Sequence, residues 1–222
     1  MIIAIDGPAA SGKSTVAKAV ARRLGVRHLD TGAMYRAVTW LALQADVPLD
    51  DSVALTALAE ANPVTFDYAD DAPIATSVRI AGSDVTAAVR YPDVDANVSA
   101  VSAVPGVRAA LVAQQRLLAD RRDTVAEGRD IGTVVFPHAE VKVFLTATAE
   151  ERARRRQIDL ANQGHAVDQD EVQARLERRD TYDSTREVSP LEAAPDAELL
   201  DTTGLSIEQV VDGIAERVEA AR

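Results

Sequence analysis

Short apolar runs alternate along the chain with longer stretches in which apolar residues recur every three or four positions. The short runs predict strands over residues 2–6, 27–29, 124–127, 141–145 and 198–201. Strands that alternate with helices are typical of a parallel sheet with helices packed on its faces. The pattern therefore predicts an α/β fold built on a five-stranded parallel sheet.

Helical spacing predicts three helices, over residues 13–24, 33–45 and 105–121. Gly25 ends the first of them, and Pro105 suits the first turn of the third because no backbone N–H is needed there. Three capping pairs predict further helices, since a side-chain oxygen at a helix start accepts hydrogen bonds from first-turn N–H groups. The pairs are Thr148 with Glu151, Asp168 with Glu171, and Ser206 with Gln209.

The last predicted helix extends to about residue 221 and carries one apolar stripe. We expect this stripe to face the core, and its members are Ile207, Val210, Val211, Ile214 and Val218.

Residues 64–86 break the alternation of strands and helices. Two short extended runs, 64–67 and 77–80, are followed by a turn at 81–83 and then by Val85. This pattern predicts a small antiparallel insertion, and periodicity alone leaves open that it is only a decorative hairpin.

Composition limits the classes of protein to which the chain can belong. A length of 222 residues suits one sizeable core with small elaborations, and it is short for two ordinary domains. The net charge of −11 argues against non-specific nucleic-acid binding. No run approaches the ~18 apolar residues of a membrane helix, and the start lacks a basic region with a cleavage site. We therefore expect a cytoplasmic protein that binds neither membranes nor nucleic acids. With no cysteine, thiol chemistry is excluded.

The residues from Gly7 to Ser14 read GPAASGKS and stand between the first predicted strand and the first predicted helix. In such a loop the backbone N–H groups point at an anion, and the helix adds its positive N-terminal end. Lys13 supplies a charge for the outer phosphates, and Ser14 a hydroxyl for Mg²⁺. We expect a nucleoside triphosphate to bind to Gly7, Pro8, Ala9, Ala10, Ser11, Gly12, Lys13, Ser14 and Thr15.

Phosphoryl transfer needs cations and backbone donors aimed at the moving charge, so arginines near the loop are the candidates for chemistry. Three segments, 30–36, 127–130 and 179–186, carry arginines at the ends of predicted strands or helices. The candidates are Thr31, Tyr35, Arg36, Gly128, Arg129, Asp130, Arg179, Asp183 and Arg186. Each segment alone would also fit a solvated charged surface.

Residues 151–156 place four arginines in five positions near a helix start, where cations repel one another and the helix dipole disfavours them. A polyanion would relieve this repulsion, which favours a mobile lid over a triphosphate. We expect Arg152 and Arg156 to bind the triphosphate and Arg155 to act in catalysis. The alternative is an exposed helix whose charge Glu150 and Glu151 partly neutralise.

Over its whole length the sequence resembles the bacterial cytidylate kinases, the (d)CMP kinases of the nucleoside monophosphate kinase group. The segments that carry the resemblance are 5–14, LDTGAMYR at 29–36, EGRDIGTVVFP at 127–137, ERA at 151–153, 179–186 and LDTT at 200–203. The run GRDIGTVVFP is highly specific to that family. Glu127 stands where many members have aspartate.

The resemblance implies transfer of a phosphoryl group from ATP to CMP or dCMP with Mg²⁺, by a monomer. It implies a single domain with a core at 1–45, 105–148 and 187–222, a monophosphate-binding insertion at 62–103 and a lid at 149–167. It also implies roles on the CMP side. Arg36, Arg129 and Arg186 resemble residues that hold the monophosphate, Ser99, Arg108 and Asp130 those that bind the cytosine edge, and Arg179 and Asp183 those that hold the sugar.

Two alternatives remain at the level of sequence. One is a kinase for another small acceptor, such as UMP, AMP or shikimate. The other is a nucleotide-binding switch or motor, against which stands the lack of a Lys-x-Asp element and of an apolar run ending in Asp-Glu.

Overall fold

The computed structural model describes residues 1–70, 72–162, 164 and 166–222. Five strands form a parallel sheet, as predicted. Their bounds are Ile2–Asp6 (β1), Arg27–Asp30 (β2), Thr124–Gly128 (β6), Val141–Thr146 (β7) and Glu198–Asp201 (β8). Their order in the sheet is β2-β6-β1-β7-β8.

Three shorter strands form the antiparallel sheet predicted for the insertion, in the order β3-β4-β5. In its register Phe66 pairs with Val78, and Ile80 pairs with Ser83. The strands are Thr65–Asp67 (β3), Ser77–Ile80 (β4) and Ser83–Asp84 (β5).

Eight α-helices accompany the strands in the described part of the chain. Three of them follow the predicted capping pairs, with Ser206 and Gln209 forming a reciprocal capping box. The helices are Lys13–Leu24 (α1), Thr31–Gln44 (α2), Ser52–Ala61 (α3), Pro92–Ala103 (α4), Pro105–Ala119 (α5), Ala149–Asn162 (α6), Gln169–Thr185 (α7) and Ile207–Ala220 (α8). A 3₁₀ turn at Ala88–Arg90 and a π-helix at Ile131–Val135 complete the elements.

The chain divides into two compact units, one of residues 1–20 and 127–222 and the other of residues 21–126. In the first unit β7 pairs in parallel with β1 and with β8, so that Ile5 lies beside Val143 and Val143 beside Glu198. Its core is built from fully buried side chains such as Ile3, Leu145 and Ile214. The stripe on α8 is buried as predicted except at Ile207, which is 51% exposed because it occupies the first turn.

In the second unit helices α2, α3, α4 and α5 pack on one another, and α2 contacts β4 of the small antiparallel sheet. Its core includes Met34, Leu55, Ile80 and Leu111, all fully buried. Helices α3 and α4 were not predicted from the sequence. The predicted insertion at 62–103 therefore contains a three-turn helix, Pro92–Ala103, besides its sheet; residue 71 lies outside the described residues.

In the part of the chain that the structure describes, no single helix is long and apolar enough to cross a membrane. Helices α4 and α5 meet the length and composition criteria only together, as a pair bent by 96°.

Candidate active site

The loop between β1 and α1 has a backbone that two glycines make possible. Gly7 has φ +146° and Gly12 has φ +90°, conformations that other residues rarely adopt. A Cβ atom on Gly7 would lie 2.1 Å from the carbonyl oxygen of Leu145 on β7, so no side chain fits there. Between the glycines, Ala10 is held in the left-handed region at φ +58°. The loop is therefore a strained turn in the position predicted for phosphate binding.

Lys13 is buried at the start of α1, with 6% of its surface exposed. Its ammonium group donates hydrogen bonds to the carbonyl oxygen of Pro8 at 2.5 Å and to the hydroxyl of Ser11 at 3.3 Å. Burial lowers the pKa of Lys13 well below its ordinary value, and the nearby guanidinium of Arg129 lowers it further. Two cations gathered in a buried site favour an anionic ligand, because the ligand offsets their repulsion and desolvation.

Ser14, the predicted metal-binding residue, donates a hydrogen bond from its hydroxyl to a carboxylate oxygen of Glu127 at 2.6 Å. Glu127 lies on β6 and is 3% exposed. A hydroxyl and a carboxylate are the oxygen ligands that Mg²⁺ prefers, usually in company with substrate phosphates and water. This pair therefore fits a magnesium ion bound beside the loop. Within the described residues, no three side chains among His, Cys, Asp and Glu gather as a metal site.

Arg129 and Asp183, both predicted on the CMP side, lie together. The Nε atom of Arg129 donates to a carboxylate oxygen of Asp183 at 3.1 Å. The side chain of Asp183 on α7 is 5% exposed, whereas the Arg129 side chain keeps 20% of its surface exposed beyond the end of β6. Gly128 is the last residue of β6, and Arg179 stands one turn before Asp183 on α7. Arg186 follows α7, and its Nε donates to the carbonyl oxygen of Ser189 at 2.5 Å.

Asp6, at the end of β1, holds the segment that follows Arg129. Its two carboxylate oxygens accept the backbone N–H groups of Ile131 at 2.8 Å and Gly132 at 2.7 Å. These N–H groups start the π-helix, next to the buried side chain of Asp130. Burial raises the pKa of Asp6 to about 6, the two backbone hydrogen bonds oppose that rise, and the charge of Asp130 adds to it. Sequence reasoning did not assign Asp6 to the site, although its place directly before Gly7 was a signal.

The arginines of the predicted lid lie on α6, and Glu151 binds two of them. Glu151 accepts a pair of hydrogen bonds from Arg154, at 2.8 and 2.9 Å, and one from Arg155 at 2.8 Å. These bonds, led by that of Arg154, lower the pKa of Glu151 to about 2. The neutralisation that the alternative interpretation required is therefore present on this helix. Positions 163 and 165 of the predicted lid lie outside the described residues.

Two of these arginines reach the backbone of the phosphate loop. A terminal nitrogen of Arg155 donates to the carbonyl oxygen of Ser11 at 3.3 Å and to the hydroxyl of Thr202 at 2.9 Å. The same nitrogen lies 3.5 Å from where a Gly12 Cβ would stand. Arg152 is buried and donates to the carbonyl oxygens of Ala9 at 3.1 Å and Ala147 at 3.3 Å. Arg156 is half-buried on the same helix.

The remaining CMP-side candidates belong to the second unit. Tyr35 and Arg36 lie on α2, where a guanidinium nitrogen of Arg36 contacts a carboxylate oxygen of Asp95 at 2.7 Å. Arg108 on α5 is 3% exposed, and its guanidinium lies 5.2 Å from the centre of the Tyr35 ring. Thr31 is buried in the first turn of α2.

Ser99 and Arg108 are linked through Ser102. Arg108 donates to the carbonyl oxygen of Ser102 at 3.1 Å, and the hydroxyl of Ser102 donates to the carbonyl oxygen of Ser99 at 3.1 Å. Hydrogen bonds thus connect the guanidinium of Arg108 on α5 with the backbone of Ser99 on α4, and the cytosine-binding role of these residues stays a prediction.

A family model described as cytidylate kinase matches residues 3–220. The chain belongs to the cytidylate kinase family. This confirms the resemblance.

Known members of the cytidylate kinase family are similar to almost all of the chain. The chain is 54% identical over 213 residues to a bifunctional pantoate ligase/cytidylate kinase of Synechococcus sp. (strain JA-3-3Ab), and the match covers 96% of this chain and 39% of that protein. It is also 54% identical over 212 residues to the protein of the same description from Prochlorococcus marinus (strain MIT 9303), covering 95% and 43%. The chain thus spans about two fifths of the length of these relatives.

A solved structure shares the fold without close sequence similarity. An uncharacterised protein from Eubacterium ventriosum ATCC 27560 superposes with a TM-score of 0.51 at 10% identity, covering 99% of each chain. At that identity the likeness concerns the fold alone.

Three residues of this cytidylate kinase family member were not among the predicted site residues and yet bind a predicted site residue or the segment directly after one. Asp6 holds the segment after Arg129, Glu127 accepts from Ser14, and Asp180 on α7 accepts from the loop at Ala9. All three are carboxylates, and each partner is distant in sequence.

Proposed function

We propose that the chain transfers the terminal phosphoryl group of ATP to CMP or dCMP, giving ADP and CDP or dCDP. The observation that carries this proposal is the pairing of a phosphate loop, whose Lys13 is buried, with Arg129 close enough to lower the pKa of that lysine. Such an arrangement of cations suits a phosphoryl group in transit. Membership of the family supports cytidylate as the acceptor.

The donor side of the reaction uses the first unit. ATP binds to the loop residues Gly7 to Thr15, with Lys13 on the outer phosphates and Arg155 and Arg156 of α6 on the same triphosphate. The position of Arg155 supports its role, because its guanidinium lies over Gly12 of the loop. Arg152 contributes to ATP binding through the loop, whose Ala9 it holds.

Ser14 and Glu127 would hold Mg²⁺, as their oxygen atoms fit that ion. When bound, the ion supplies positive charge that neutralises the phosphate oxygens of the donor. The roles of the protein groups around it are to position the donor and to exclude water.

The acceptor is held by the residues that the resemblance assigns to it. Arg36, Arg129 and Arg186 bind the monophosphate, and Arg179 and Asp183 hold the sugar. The cytosine edge offers an amino donor and neighbouring acceptors, which Asp130, Ser99 and Arg108 complement. Thr31, Tyr35 and Gly128 complete the acceptor contacts.

In the chemical step an oxygen of the CMP phosphate attacks the terminal phosphorus of ATP. A bond forms between that oxygen and phosphorus, the bond from phosphorus to the bridging oxygen breaks, and its electron pair leaves with ADP. No side-chain base is needed, because the attacking group is already an anion. Lys13 and the arginines stabilise the charge of the group as it moves.

The proposed setting is the cytoplasm, with ATP and CMP as small-molecule partners and the chain acting as a monomer. The acidic net charge of −11 supports the absence of a nucleic-acid partner. Light scattering of the purified chain would measure its mass, and a stable dimer would contradict the monomer.

A coupled assay of ADP formation tests the reaction with CMP, dCMP, UMP, AMP and shikimate as acceptors. We expect CMP and dCMP to give the highest kcat/KM and the reaction without acceptor to be negligible. A preference for UMP, AMP or shikimate would overturn the assignment of the acceptor. ATP hydrolysis at the same rate without any acceptor would overturn the kinase itself.

A further inference from the structure

We propose that Arg152 and Asp180 are positioning residues that clamp the phosphate-binding loop at Ala9 and couple the binding of ATP to the binding of CMP. We call the contacts among these three residues the Ala9 clamp. The inference rests on the proposed kinase function. In this proposal Asp180 takes part in that function, and Arg152 acts by holding the backbone of the loop.

The clamp binds both backbone polar groups of one residue in the loop. The backbone N–H of Ala9 donates to a carboxylate oxygen of Asp180 at 3.1 Å. The carbonyl oxygen of Ala9 accepts from a guanidinium nitrogen of Arg152 at 3.1 Å. The same nitrogen also pairs with the other carboxylate oxygen of Asp180. Residue 9 is therefore held from both sides by one ion pair.

Burial makes this ion pair rigid. The side chain of Arg152 is 10% exposed and that of Asp180 is 16% exposed. Desolvated charges of this kind are tolerated when hydrogen bonds satisfy them, and the Nε of Arg152 has a further acceptor in the carbonyl oxygen of Ala147. Removing either partner leaves the other charge buried, so the pair acts as a unit.

An apolar cluster also packs against the loop at Ala9. The methyl group of Ala9 is buried with Ala153 of α6 and with Val172 and Leu176 of α7, and Ala10 packs against this cluster. Apolar packing and the ion pair are independent kinds of contact, and both join α6 and α7 to residues 9 and 10. Because Ala10 has a left-handed backbone, which alanine disfavours, these contacts hold the loop in its observed form.

Helix α7 bears both Asp180 of the Ala9 clamp and residues that are proposed to bind CMP. Asp180 is followed within one turn by Asp183, which accepts the hydrogen bond from Arg129, and it is preceded directly by Arg179. A displacement of the loop at Ala9 by ATP therefore moves residues proposed to bind CMP, through one turn of a helix. By thermodynamic linkage, CMP must change the affinity for ATP by the same factor.

Calorimetric titration of the full chain measures this factor directly. The non-hydrolysable ATP analogue AMP-PNP is titrated with Mg²⁺ in the absence and presence of saturating CMP. For the wild type we expect CMP to tighten AMP-PNP binding about 5-fold or more, the range typical of coupled sites. For Asp180→Asn and Arg152→Gln, which remove one charge at little change in size, we expect a factor near one.

Three further variants complete the test. Arg175→Ala on the exposed face of α7 removes a pair with Glu171 and is expected to keep the wild-type factor. Arg152→Lys keeps the positive charge and is expected to retain part of the coupling factor. The double variant Arg152→Gln with Asp180→Asn is expected to lose no more than either single variant, because the two residues act as one unit. Thermal melting identifies any variant that does not fold.

The proposal is overturned if the clamp variants keep the wild-type factor and lose only melting temperature, since that would show a purely structural pair. It is also overturned if the wild type phosphorylates CMP and yet shows a factor of one, a measurement that needs no variant. Failure of the proposed function is a different result, in which the wild type does not phosphorylate CMP at all.

Discussion

The hydroxyl of Ser14 donates a hydrogen bond of 2.6 Å to the carboxylate of Glu127, 113 residues further along the chain. The contact joins the first turn of α1 to β6 within the first unit. It places a carboxylate beside Ser14, the loop residue that was predicted to bind Mg²⁺. The sequence did not predict that Glu127 would lie there.

Replacing Glu127 by glutamine should raise the Mg²⁺ concentration needed for half-maximal activity by about tenfold or more, as is usual when a partner of a metal-bound group is changed. The amide keeps the size of the side chain and removes its charge. Glu127→Asp serves as the control, because it retains the carboxylate. Initial rates over a magnesium titration give the comparison, and equal magnesium requirements for Glu127→Gln and the wild type would contradict the metal site.

Lys13→Ala should lower kcat by about 100- to 1000-fold, the typical loss when one group that stabilises transition-state charge is removed. The fold should persist, because burial disfavours the charged lysine and the two hydrogen bonds that are lost lie within the loop. Steady-state rates and a thermal melt measure the two effects. Lys18→Ala, on the same helix, is the matched control. A variant at Lys13 that turns over like the wild type would refute the loop as the donor site.

Arg129→Ala should raise the KM for CMP by about 10- to 100-fold, since a hydrogen bond to a charged group contributes about 1.5–3 kcal/mol. The KM for ATP should change by about twofold or less, because the clamp at Ala9 and the loop are untouched. Kinetics with each substrate varied in turn separate the two constants. Equal loss on both substrates would place Arg129 elsewhere in the reaction.

Asp6 should make the free energy of unfolding depend on pH between about 4 and 6. Its pKa of about 6 in the folded chain lies above the ordinary value of 3.8, so the folded state keeps a proton that the unfolded state has lost. The stability from this group therefore decreases as pH rises through that window, by up to about 3 kcal/mol, and is constant above it.

Urea unfolding of the wild type and of Asp6→Asn at several pH values between 4 and 7 tests this sign. The asparagine variant lacks the titrating group, so the stability difference between the two proteins isolates the contribution of Asp6. We expect the wild type to lose stability relative to the variant as pH rises. A difference that stays constant with pH, or that grows in favour of the wild type, would show that the carboxyl group titrates normally.

Local patterns in the sequence identified much of the fold and the loop. The strands of the parallel sheet were predicted to within about a residue because short apolar runs mark them. Strands β1 and β6 are buried along almost their whole length, whereas β8 is largely exposed. Helices α3 and α4 were missed. Helix α4 has a helical stripe of Val94, Val98 and Val101, and Pro92 marks its first turn. The stripe was overlooked because the antiparallel pattern before it predicted an insertion over the whole segment.

Only the local part of the charge pairing could be obtained from the sequence. Repulsion among the arginines of α6 favoured a polyanion, whereas in the structure Glu151 binds Arg154 and Arg155 by ordinary helical spacing. Arg152 and Asp180, by contrast, meet only because α6 packs on α7, and both meet Ala9 across even longer separations. No periodicity encodes such contacts, since they depend on how helices pack.

The left-handed backbone at Ala10 bears on any attempt to transplant this loop into another scaffold. Alanine does not choose that conformation by itself, so a peptide cut from the first strand, loop and helix would relax into some other turn. A designer would have to graft the supporting hairpin of α6 and α7 as well, or else substitute glycine at residue 10 and accept the loss of its methyl contact.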